Sequence, residues 1–287
     1  MIQHPTAAEN TTIADQLGSD RDTNLSPVAK RYRPGMLGSR FILPRASGLK
    51  RFYLDRFGVP DVRAQLTATY ILEELSGIRF HRLLDVGCGN GMITCLIASQ
   101  HPACDVVGID VSPSGVEYAR SLASQNGLAR TTFESVNVES DTLRGGFDAI
   151  ISLAVLQFIH DIPALLRRLT TLLCAGGHLL LQVPVTAPSI LMKSRRARNR
   201  LPDFKEARGA FTEAEIRDLL AASGFDVIRI TPVIKGTTLL AKEIFYLALS
   251  LHQRAAFALC PALNWITVRD AKHNGSPAGL FVVARKQ

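Results

Sequence analysis

After Gly77 the chain alternates short apolar runs with segments whose apolar residues recur every three or four positions. That alternation predicts parallel strands joined by crossover helices. The runs at 82–86, 105–109, 131–136, 148–153, 177–183, 226–231 and 279–285 read as strands. Helix-start signals fall in the right places. Ser112 before Pro113 is a side-chain cap followed by a first-turn proline, and Thr212 with Glu215 has capping-box spacing. The predicted fold class is α/β: a doubly wound, mostly parallel seven-stranded sheet with helices on both faces, plus an N-terminal helical extension.

The pattern before Gly77 differs. Residues 1–27 are polar and aperiodic, which predicts a disordered tail. From 28 to 58 basic residues mix with Tyr32, Phe41, Phe52, Tyr53 and Phe57, as in an ordered, irregular extension. A helix is expected from Asp61 to Ser76, with Leu66, Ile71, Leu72 and Leu75 near one face and Gly77 as its stop. The organisation expected is therefore a tail at 1–27, a basic and helical extension at 28–80 acting as a substrate lid, and a main domain at 81–287 with inserts at 185–210 and 234–278.

Composition adds limits. With 47% hydrophobic and 20% charged residues the chain can bury a sizeable core. The apolar stretch 244–268 is interrupted by His252, Gln253, Arg254 and Pro261, so no spanning helix is expected. The N-terminus lacks a basic start followed by an apolar core, which predicts a cytoplasmic location. The 5 cysteines form no Cys-x-x-Cys pair, so reduced thiols are expected, with neither a disulfide frame nor a metal site.

The net charge of +8 is local. Eight Lys or Arg face one acid between Val28 and Arg56, and seven face two acids between Lys193 and Arg208. Patches of this kind favour an anionic substrate, a lipid headgroup surface or nucleic acid, unless they are simply solvated faces.

The strongest chemical signal is the turn Gly87-Cys88-Gly89-Asn90-Gly91 between a strand and an apolar helix. Glycines there let the backbone turn tightly and approach a ligand. Their spacing is G-x-G-x-G, and Met92 stands where a dinucleotide fingerprint has its third glycine. Asp85, two residues ahead of the turn, would repel a pyrophosphate but attract the ammonium and sulfonium of S-adenosylmethionine. Asp110 ends the next strand 19 residues after Gly91, at the separation where an acid meets ribose hydroxyls. Its bland alternative, a helix cap, is a role Ser112 already fills.

LLDVGCGNG, VVGIDVSPSGVEYAR, FDAIISLAVLQFIHD, LLCAGGHLLLQVP and FTEAEIRDLLAASGFDVIRI together resemble the successive blocks of class I S-adenosylmethionine-dependent methyltransferases, over about 81–233 and 279–285. The resemblance implies S-adenosylmethionine as cofactor. It places the turn Asp85, Gly87, Cys88, Gly89, Asn90 and Gly91 against the methionine part, Asp110 on the ribose and Val111 against adenine. Asn137 and Val138 would meet the adenine amino group and ring nitrogen, although the family more often has an acid at the first of these positions. Ser152 and Leu153 would lie beside the amino-acid portion, and Gln157 would reach toward the transferred methyl.

If a general base takes part, His160 is the candidate, since it follows the fourth strand on the same edge. The alternative reading is an exposed loop histidine before the helix cap Asp161. The apolar and basic segments outside the core predict a small-molecule acceptor that is apolar or lipid-like and methylated on oxygen, with peripheral membrane contact. The alternatives are a nucleic-acid methyltransferase, a NAD-dependent oxidoreductase and a noncatalytic partner-binding protein. The loop SLAVLQF lacks the Asn-Pro-Pro-Tyr-like motif of base-amine methylation. The oligomeric state is not specified by any pattern in the chain.

Overall fold

The computed structural model describes residues 39–42, 47–57, 62–185, 210–251, 255, 258–259, 261–263 and 277–287. The expected tail, nearly all of the basic loop 185–210 and much of the second insert lie outside the described residues.

Three helices precede the sheet: α1 (Ser39–Ile42), α2 (Gly48–Phe57) and α3 (Val62–Ser76). Where it is described, the extension before residue 58 is thus helical. Then follow β1 (Arg82–Val86), α4 (Met92–Gln100), β2 (Asp105–Asp110), α5 (Pro113–Gln125), β3 (Thr131–Ser135) and β4 (Phe147–Leu153). A 3₁₀ turn at Leu156–Phe158 leads to α6 (Ile162–Leu172), β5 (Leu173–Pro184), α7 (Glu213–Ala221), β6 (Phe225–Val233), α8 (Gly236–Leu251) and β7 (Gly279–Lys286). No helix among the described residues is long and apolar enough to cross a membrane.

The strand order is β3-β2-β1-β4-β5-β7-β6, with β1 to β5 parallel and β7 antiparallel to both its neighbours. The chain therefore winds outward in one direction from β1 and in the other from β4. Between those strands the connections diverge and leave a crevice at the carboxyl edge.

Both faces of the sheet are covered, which explains why its central strands read as nearly unbroken apolar runs. On one face Leu84, Ile150, Leu181 and Val282 pack against Leu165, Leu166 and Leu169 of α6 and Ile216 and Leu220 of α7. On the other, Leu83, Ile151, Leu180 and Phe281 pack against Leu66, Ile71 and Leu75 of α3 and Ile97 of α4. Each fully buried aliphatic side chain contributes roughly 1.5–3 kcal/mol of transfer free energy.

The caps read from the sequence are present. Ser112 Oγ accepts from the Gly115 N–H at 3.2 Å, and Thr212 and Glu215 form the reciprocal capping box. Strand β5 begins earlier than its apolar run suggests. Leu173 already pairs with Phe147, and a register shift with Gly176 at φ 71° absorbs the irregularity before His178.

Candidate active site

The carboxyl ends of β1, β2 and β4 converge on the glycine turn. The Gly87 and Cys88 N–H groups donate to the Ile109 carbonyl at 2.8 and 3.0 Å, and the Gly91 N–H donates to the Cys88 carbonyl at 2.9 Å. Gly87, Gly89 and Gly91 have φ of 76°, 54° and 73°, the left-handed region that residues with a Cβ avoid. Space is as restrictive as conformation. A Cβ on Gly87 would lie 2.3 Å from Val155 Cγ2, and one on Gly91 would lie 2.5 Å from Ala119 Cβ. The exposed Asn90 accepts from the Met92 N–H through its side-chain oxygen at 3.3 Å, just ahead of α4, whose N-cap is Gly91.

Two acids flank this turn. The Asp110 carboxylate accepts from the Gly89 N–H at 2.8 Å and from the Ser112 N–H at 2.9 Å, tying the turn to the start of α5. Each of its oxygens retains acceptor capacity for a hydroxyl. Asp85 is only 2% exposed and accepts from the Thr94 hydroxyl at 2.6 Å. Burial pushes its carboxyl up to about 7, against the lowering effect of Thr94 and with a smaller push from Asp110. Asp85 is therefore part-neutral near pH 7 until a cation arrives. Among the described residues neither acid pairs with a Lys or Arg. Burial, followed by the nearby Asp85 and Asp110 charges, also raises the Cys88 thiol well above its ordinary range, so Cys88 is no nucleophile.

At the outer end of β2, Val111 is 66% exposed, an apolar side chain with nothing of the described protein over it. Val138 is buried, and its N–H has no acceptor among the described residues. Asn137 is exposed, and its side-chain oxygen already accepts from the Glu139 N–H at 2.9 Å. Any adenine contact by that oxygen would therefore be its second.

The loop after β4 closes the other side. Ala154 holds φ 59°, costly for a residue with a Cβ, and is clamped there. Its N–H donates to the Gln182 carbonyl at 2.8 Å, and its own carbonyl accepts from Gln157 Nε2 at 2.8 Å. Ser152 Oγ and Gln157 Oε1 are buried without a partner among the described residues, which a native site explains by a ligand or water. Leu153, half-buried, ends the strand.

His160 stands apart from this cluster. It is exposed, its N–H donates to Glu139 Oε1 at 3.0 Å, and its imidazole has no hydrogen bond among the described residues. Asp161 caps α6 through the Ala164 N–H. Three contributors were not anticipated from sequence: Thr94, Ala154 and the buried pair in which Thr67 donates to Gln182 Oε1 at 2.7 Å. Thr94 and Gln182 are lone polar residues within apolar runs, a signal that would have found them.

The residues present fit S-adenosylmethionine. Two unpaired acids face a glycine turn, an exposed valine and a free amide stand where a base would lie, and unsatisfied polar atoms line the β4 loop. No group of acidic, histidine or cysteine side chains suited to a metal occurs among the described residues.

Comparison with known proteins agrees. A methyltransferase-domain family model matches residues 81–223. The chain is 40% identical over 101 residues to a trans-aconitate 2-methyltransferase of Methylobacterium radiotolerans, covering 35% of this chain and 37% of that protein. It is 28% identical over 115 residues to a ubiquinone biosynthesis O-methyltransferase of Acinetobacter baylyi, covering 39% and 48%. The chain thus spans less than half the length of these two curated relatives. A geranyl diphosphate C-methyltransferase of Streptomyces coelicolor shares the fold at a TM-score of 0.57 and 15% identity, over 90% of this chain and 87% of that one. Through residues 81–223, which carry the glycine turn and both acidic strand ends, this chain belongs to the class I S-adenosylmethionine-dependent methyltransferases.

Proposed function

We propose that this protein binds S-adenosylmethionine at the β1–β2–β4 carboxyl edge and moves its methyl group to an oxygen of a small, apolar or lipid-like acceptor. The observation that carries the reading is the pair of acids, Asp85 and Asp110, unpaired with any base and set on either side of the glycine turn. Bound there, the cofactor supplies a methyl group on a sulfonium, activated toward displacement. Asp85 would hold the cofactor's positive charge, Asp110 its ribose hydroxyls, and Val111 with the Val138 N–H its base. Asn137 would offer its remaining acceptor capacity to the amino group of that base. Ser152 Oγ, Leu153 and Gln157 Oε1 would line the amino-acid portion and the reacting end.

What the protein adds is alignment and exclusion of water, since a direct displacement needs little else. His160, on the loop after β4, is the proposed base for acceptors whose hydroxyl must lose its proton, which requires that loop to bring its exposed imidazole to the acceptor. An oxygen acceptor is supported by the activities of relatives, among them the ubiquinone biosynthesis O-methyltransferase. An apolar acceptor is supported by α8, which starts at the carboxyl edge after β6 and buries Ala241, Phe245 and Ala248 together. The same apolar and basic composition supports contact with a membrane periphery.

Methyl-labelled S-adenosylmethionine incubated with the protein and a panel of apolar carboxylic acids and hydroxy compounds tests the reading. Label recovered as a methyl ester or ether supports it. Label found on nitrogen, or on nucleic acid but on no small molecule, rejects the acceptor class.

A further inference from the structure

Helix α2 is anchored on one side and open on the other. Leu54 is fully buried, whereas Leu49 and Phe52 are 83% and 64% exposed. At about 100° per residue, Leu49 and Phe52 fall on the side opposite Leu54, with Arg56 between them. Lys50, Arg51 and Arg56 are exposed on the same helix, and its acid, Asp55, is engaged by Arg51 at 3.6 Å. The chain around them, from Val28 to Arg56, has eight basic residues against one acid.

Large apolar side chains in water lose the transfer free energy that burial would recover, and clustered cations need counter-charge. One surface answers both needs. At an anionic bilayer the apolar pair enters the headgroup boundary, while Arg56, on the same face, keeps its head among the phosphates and the basic charge of the surrounding chain adds long-range attraction. A second exposed apolar stripe, Leu240, Leu247 and Leu251 on α8, lacks this complementarity, because the helix's one base, Lys242, lies beside Glu243.

We propose that α2 docks the protein on an anionic membrane surface through Leu49 and Phe52, with Arg56 between them reading the headgroup charge. The docking rests on the apolar-acceptor reading for its purpose, since such a compound is met at a bilayer, but its test involves no methyl transfer.

The full chain is sedimented with phosphatidylcholine vesicles, with or without phosphatidylglycerol, at low salt. Binding is expected only with phosphatidylglycerol. It should weaken at least tenfold in Leu49→Glu/Phe52→Glu and stay unchanged in Leu240→Ser/Leu247→Ser. All the substituted side chains are exposed, and circular dichroism with S-adenosylhomocysteine titration of each variant confirms folding and reports the cofactor site separately. Absence of binding by the wild type overturns the proposal, as does loss confined to the α8 variant. Salt-sensitive binding that survives in the α2 variant also overturns it, because that marks a general polyanion surface such as nucleic acid would engage.

Discussion

Thr94 donates its hydroxyl proton to Asp85 across 2.6 Å, and both side chains are closed off from water. The hydroxyl favours the ionised carboxylate and burial opposes it, leaving Asp85 at about 7. A cationic ligand would complete the ionisation and release a proton. Affinity for S-adenosylhomocysteine, which keeps the ammonium, should therefore rise about tenfold from pH 6 to pH 8. Asp85→Asn should bind weakly with no such slope. Calorimetry across that range, in buffers of differing ionisation enthalpy, would also register the released proton. A flat wild-type profile would count against Asp85 as the counter-charge.

The same residue sets a stability trend of opposite sense. A carboxyl raised in the folded state from 3.8 to about 7 holds its proton more tightly there than in the unfolded chain. Its contribution is fully present below pH 4 and is lost as pH rises toward 7, amounting to roughly 4 kcal/mol at most. Asp85→Asn should remove that loss, so the difference in urea-unfolding free energy between variant and wild type should grow from pH 5 to pH 8. Parallel curves would show that Asp85 is ionised in the folded protein throughout.

Gly87→Ala tests the turn itself. The added methyl meets Val155 at 2.3 Å while the backbone holds φ 76°. Left-handed strain and overlap together should cost about 2–4 kcal/mol and abolish cofactor binding. Adding Val155→Ala relieves the overlap but not the strain, so thermal unfolding should recover only in part. Full recovery would mean that the φ requirement is soft.

Val111→Ala separates binding from folding. The side chain is largely exposed, so stability should change by less than about 0.5 kcal/mol. Affinity for S-adenosylhomocysteine should nonetheless fall severalfold, by loss of apolar contact with the base. Unchanged affinity would remove Val111 from the site.

Thr67→Val removes the donor to the buried Gln182 while keeping the shape of the side chain. An orphaned buried carbonyl costs about 1–3 kcal/mol, which urea unfolding can resolve. Thr67→Ser, which restores the hydroxyl, should recover most of it.

The strands were legible because burial on both faces forces apolar runs such as Leu179-Leu180-Leu181 and Phe281-Val282-Val283. The turn was legible because G-x-G-x-G with Asp85 and Asp110 has few other uses. The early start of β5 was hidden, since Cys174-Ala175-Gly176-Gly177 has the composition of a turn and is strand only because Phe147 pairs across from Leu173. The protonation of Asp85 was hidden too. Sequence gives its charge at full value, whereas only the burial of Asp85 beside Thr94 shows how far that charge is reduced. The Thr67–Gln182 pair spans 115 positions, a separation no local pattern reports.

Calorimetric titration of the full chain at pH 8 with S-adenosylmethionine, S-adenosylhomocysteine and NAD, beside Asp110→Ala, decides whether the glycine turn and its two acids hold a sulfonium nucleoside. Micromolar binding of both sulfur ligands is expected, with none of NAD and at least tenfold weaker binding in the variant. Binding of NAD in preference, or binding of S-adenosylhomocysteine indifferent to Asp110, would contradict that assignment.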